Sequence, residues 1–227
     1  MILLTVPVIS IMASLILVLP LIIGSINIKE INQSPIKIIF IYCIVYSIYE
    51  IIGWVYALNG WQNHFVSNII SYTDVIVWGC YYYQIIKNKQ FKYLGVSLGS
   101  ITLILILWSH IGTGRDFNRI DSFAYSIVNI FLISIVLMFF YQLLNSIEIE
   151  NLFTYSHFWI AVAVLIYFSG IFSLEIFAEY IAFNKDKTIT RYWEIKEYLT
   201  FIHRILLAVG FWFSQSAIAM PVRKLSN

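Results

Sequence analysis

The chain has 227 residues, 60% hydrophobic and 18% aromatic, with only 11% charged, a formal net charge of +2 and a mean hydropathy of +0.83. A soluble domain keeps about a quarter of its residues charged, so this composition excludes a water-soluble globule and makes lipid the solvent. The near balance of charge excludes a basic face for nucleic acid and an acidic tail, and Cys43 and Cys80, both inside apolar runs, read as small buried hydrophobes.

The first apolar run begins at the N-terminus with no basic residue before it and no small-residue cleavage site, which predicts a retained helix over about 2–23. Pro7 and Pro20 fall near its ends, where a helix tolerates proline best. Further runs predict helices over about 37–59, 64–86, 94–112, 121–145, 157–183 and 198–220. Apolar residues run continuously rather than alternating, which argues against a barrel. The expected fold class is therefore all-α: a single domain over 1–227, a polytopic bundle of seven transmembrane helices with a rhodopsin-like outline. Lys29 and Lys37 follow the first helix, and a basic cluster at Lys87, Lys89 and Lys92 follows the third. Both predict an N-terminus outside and a C-terminus inside. The abundance of Ile, Asn and Lys points to a bacterial source, hence a multi-pass protein of the inner membrane.

Helices two and six share an echo, Tyr46-Ser47-Ile48-Tyr49-Glu50 against Phe172-Ser173-Leu174-Glu175. It suggests a repeat of helices 1–3 in helices 5–7 with the fourth as connector. The polar stretch between the sixth and seventh predicted helices, Lys185 to Leu199, reads as an interfacial helix or a lid.

Ionisable side chains inside hydrocarbon are expensive and by default mark function. Seven stand out: Glu50, Asp74, His110, Glu175, Glu179, His203 and Arg204. With the N-terminus outside, all seven fall in the outer half of the bilayer, although five helices contribute them. Turned toward the axis, they would form a ligand- or ion-binding cavity open to the outside, joined by Tyr46, Trp54, Trp78, Tyr81 and Asn129. Two other readings stand beside this one. The charges are structural glue, with Arg204 bridging Glu175 or Asp74, or they form an ion or proton path.

Several chemistries are set aside. A retinal protein needs a lysine in the middle of the seventh helix, which has none, so no retinal and no other cofactor is expected. A seven-helix zinc hydrolase needs more histidines at one level than His110 and His203 supply, and Arg204 beside His203 disfavours a metal. No Ser-His-Asp set, P-loop or dinucleotide fingerprint occurs, so catalysis is not expected.

The stretch His157-Phe158-Trp159-Ile160 with Leu165-Ile166-Tyr167-Phe168-Ser169-Gly170, and the later Ile205-Leu206-Leu207-Ala208-Val209-Gly210-Phe211-Trp212, resemble small uncharacterised seven-helix proteins of Bacteroidota. The resemblance covers helices six and seven and the remainder by hydropathy alone. It implies a sensory role beside a membrane histidine kinase and carries no functional residues. The expectation is thus a non-catalytic, receptor-like sensor that signals through a partner protein, with a small proton- or cation-coupled transporter as the alternative.

Overall fold

A computed structural model describes residues 8–113, 117–145, 151–177, 180 and 188–215, with the backbone alone at 188–190, 192 and 193. Its helices are α1 (Val8–Ile16), α2 (Val18–Ile26), α3 (Ile28–Asn32), α4 (Ile36–Leu58), α5 (His64–Ile85), α6 (Lys89–Leu107), α7 (Ser122–Asn145), α8 (Ser156–Ile176) and α9 (Thr188–Trp212). No strand occurs among the described residues. Among the described residues, five stretches are long and apolar enough to cross a membrane: Val8–Ile26, Ile36–Leu58, Lys89–Gly112, Ser122–Asn145 and Ser156–Ile176. Their outward side chains, such as Ile22, Ile44, Ile104, Leu137 and Ile166, are exposed and apolar, as contact with lipid requires. The helices α5 and α9 match these in length, at 22 and 25 residues, but carry more polar and charged positions.

The first apolar run is not one uninterrupted helix. It breaks at Leu17, whose N–H donates to Ser14 O at 3.3 Å, a bond to the third residue back rather than the fourth. Pro20, three residues on, lacks a donor and its ring crowds the carbonyl of Ile16, so the α-helical ladder cannot run through unchanged. The polar stretch before the seventh predicted helix also differs from expectation. From Thr188 onward it is the first three turns of α9 itself, not a separate interfacial helix.

Turn chemistry sets the corners. After α4, Gly60 takes φ 72°, Trp61 N–H donates to Tyr56 O and Gly60 N–H to Ala57 O, both at 3.0 Å, and the Trp61 and Tyr56 rings meet at 5.3 Å. This is a Schellman ending with its apolar clasp. At the other end of the bundle, Gln142 Oε1 accepts from the N–H groups of Lys87 and Asn88, holding the α5–α6 turn against the end of α7.

Packing arranges α1–α2, α4, α5, α7, α8 and α9 as a closed ring in chain order, with α9 meeting α1–α2, while α6 stands outside against α5 and α7. The α8–α9 seam is tight. A Cβ on Gly170 would lie 2.8 Å from the Leu199 side chain, and one on Gly210 would lie 2.7 Å from Ile160. The missing side chains are what let these two antiparallel helices approach so closely. Ser156 Oγ donates to Gly210 O at 2.6 Å and fixes the same register.

Candidate functional site

The ring encloses a polar cavity of about 80 Å³. One water needs roughly 10–15 Å³ by the same measure, so the space holds several waters or one compact polar molecule. Its lining runs from Leu207 and Cys43 in the middle of the bundle to Ser67 and Lys196 near the starts of α5 and α9.

Arg204 is only 2% exposed, and its guanidinium donates to Glu50 Oε1 and to the backbone O of Ala13. The break after α1 makes the second bond possible, because Leu17 N–H has turned to Ser14 and leaves the Ala13 carbonyl available. Ser14 Oγ donates to Glu50 Oε2 at 2.9 Å, Trp54 Nε1–H donates to Ser14 Oγ at 2.9 Å, and the guanidinium lies 5.4 Å from the Tyr46 ring centre. One buried cation therefore joins α1, α4 and α9.

A second cluster belongs to the other side. Glu175 is 5% exposed and accepts from Asn129 Nδ2 at 2.6 Å and from Lys196 Nζ at 3.1 Å. Asp74, in the middle of α5, accepts from the Tyr42 hydroxyl at 2.6 Å. The expected bridge from Arg204 to Glu175 or Asp74 is not what forms, for a geometric reason. In the α8–α9 pair, Ile160 faces Gly210, Tyr167 stacks on His203 at 4.8 Å, and Glu175 meets Lys196. That register puts Arg204 about two turns deeper than Glu175, or roughly 12 Å along the axis.

Of the seven residues singled out in the sequence, Asp74, Glu175, His203 and Arg204 border the cavity. Glu50 does not. It reaches Arg204 from a lateral groove between α1–α2 and α4, which it shares with Ser14 and Trp54. His110 also lies elsewhere, because α6 stands outside the ring and packs mainly against α5 and α7. The last turn of α6 widens into a π-helix over Trp108–Gly112 and buries Ser109 and His110 together. Tyr72 OH and His110 Nδ1 are 2.9 Å apart, while Ser109 Oγ donates to Asp121 Oδ2 at 2.5 Å. Asp121 Oδ1 caps α7 by accepting from Ala124 N–H at 3.0 Å, and His110 Nε2 lies 3.7 Å from Oδ2. The serine faces the aspartate rather than the histidine, so this is a corner clasp and not a nucleophile with its base. Glu179 lies outside the described residues.

Beyond His203 and Leu207 the axis is filled. Trp78, Tyr81, Tyr82, Phe139 and Phe211 are each at most 1% exposed. Trp78 and Tyr81, expected to line the cavity, form its floor instead. On the far side of this floor, at the start of α8, His157 is 5% exposed, and its Nδ1 lies 2.7 Å from the Tyr81 hydroxyl.

Sequence reasoning missed Lys196, Asp121, Tyr42 and Tyr167. The first two were placed at helix ends, where charge is ordinary, and the tyrosines were lost among 16 in the chain. A helix-wheel reading of α9 continued back to residue 188 brings Lys196 within two turns of His203, a usable signal. Among the described residues, no three His, Cys, Asp or Glu side chains gather as a metal site would need. Comparison with family models, with curated proteins and with solved structures gives no match to this chain.

Proposed function

We propose that the chain crosses the bacterial inner membrane seven times, N-terminus outside, as a non-catalytic receptor-like sensor. Its cavity binds a small ligand from the outer side, and output passes to a partner protein such as a membrane histidine kinase. The observation that carries this reading is the shape of the polar space. It is lined by charged and hydroxyl groups interspersed with apolar side chains in one half of the bundle, and stopped by a close-packed aromatic floor. A space closed at one end suits occupancy better than passage. The turn holding Lys87 and Lys89, with Lys92 just beyond it, is the candidate partner contact. Glu148 and Glu150, also candidates, lie outside the described residues.

The second reading is a proton- or cation-coupled transporter, and the Tyr81–His157 pair favours it by extending buried polar groups beyond the floor. Flux assays in proteoliposomes separate the two. A sensor moves no protons or cations under an imposed gradient and co-purifies with a membrane kinase. A flux that Glu50→Gln or Asp74→Asn abolishes overturns the sensor reading and establishes the transporter. Neither flux nor partner leaves the polar cluster as glue between helices.

A further inference from the structure

With Asp74 ionised, the charges around the cavity do not cancel, and the remainder is negative. Arg204 is committed to Glu50 and to the Ala13 carbonyl. Glu175 is paired with Lys196 and held by Asn129. Asp74 is different. Among the described residues its partner is the Tyr42 phenol, a neutral donor, and no described cation stands within ion-pair distance. Asp74 is 7% exposed, so water does little to offset its charge. The surrounding wall is aromatic: Tyr42, Tyr125, Tyr167 and Phe168 line the same space. The rings of Tyr42 and Trp78 lie 5.6 Å apart just beneath. His203, 8% exposed, also lines the space, and its Nε2 has no hydrogen-bond partner among the described residues.

A carboxylate without a counter-charge beside aromatic rings suits a cation, because a desolvated ammonium gains both from the negative charge and from the ring faces. An anion would meet Asp74, and the two cations that line the cavity among the described residues, Lys196 and Arg204, are already paired with Glu175 and Glu50. A metal ion would want several oxygen or nitrogen ligands at one point, and the described acids are spread over separate clusters. We propose that the cavity takes a small organic monocation, a primary or quaternary ammonium, with Asp74 as its counter-charge and the tyrosine rings as its walls. This rests on the cavity being a ligand site.

The experiment is calorimetric titration of the full chain in lipid nanodiscs with choline, ethanolammonium, acetate and 3,3-dimethylbutan-1-ol, the uncharged isostere of choline. At least one cation should bind, with the neutral isostere weaker by about tenfold or more. Asp74→Asn, which keeps side-chain size and the bond from Tyr42, should weaken the cation by a similar factor while the melting temperature holds. Equal binding of choline and its isostere overturns the proposal, as does full affinity in Asp74→Asn. Binding of the alcohol or of acetate that Ser71→Phe abolishes overturns the cation assignment yet upholds the cavity as a ligand site. No binding by either cation overturns the assignment outright, while the partner and flux measurements continue to test the sensor reading separately.

Discussion

The two halves of the bundle solve the same problem in opposite ways. Both must fill the axis of a ring of helices. One half does so with Trp78, Tyr81, Tyr82, Phe139 and Phe211, all at most 1% exposed. The other leaves a cavity and borders it with Asp74, Glu175, Lys196 and Arg204. The aromatic floor draws its stability from packing and apolar burial, and tolerates loss of volume poorly. The polar half depends on pairing, where each ion is costly alone and acceptable with its partner. A region held by packing has little freedom to change, whereas one held by ion pairs can respond to a new charge. That difference places any response to a ligand in the cavity half.

The comparison can be broken by substitution. Trp78→Ala should have the largest effect, a loss of about 3–5 kcal/mol read as a fall in melting temperature in detergent. A small loss would show the floor to be loosely packed and erase the contrast between the halves. Glu50→Ala should follow at about 2–3 kcal/mol, since it strands the Arg204 charge in a buried site. It stays below the fully buried limit because the Glu50 side chain is itself 24% exposed. Asp121→Ala should cost about 1–2 kcal/mol, through loss of the α7 cap and its bond from Ser109. Since that clasp lies outside the ring, ligand binding should be unchanged, and a change would tie the α5–α6–α7 corner to the cavity. Asp74→Asn should cost the least, within about 1 kcal/mol, because the Tyr42 hydroxyl keeps an acceptor. A large loss of stability there would make Asp74 part of the scaffold.

Much of the helical layout was legible because lipid imposes a simple rule: backbone polar groups must be satisfied within each helix, so apolar runs of sufficient length become helices. The runs around 37–59, 64–86 and 121–145 emerge within a few residues as α4, α5 and α7. The break at Leu17 was less legible, since Pro20 was visible but its consequence, an available carbonyl at Ala13, depends on what stands opposite. The site was legible by residue type and not by partner. Buried charges announce themselves by their cost, yet Arg204 met Glu50 rather than Glu175, and Lys196 was missed because it belongs to a helix longer than its apolar part. His110 was expected in the cavity; it is buried, but at the corner outside the ring, which depends on how α6 packs.

Sequence alone therefore determined that the chain is helical, that its apolar runs suit contact with lipid, and which side chains are costly to bury there. These follow from local composition and spacing, which every residue carries with it. Only the tertiary structure decided which charges pair with which. Ion pairing acts over a few ångströms, and the register of α8 against α9, fixed by Gly170 and Gly210, sets those distances. That register gave Lys196 to Glu175, left Arg204 to Glu50, and left Asp74 facing the cavity with a phenol.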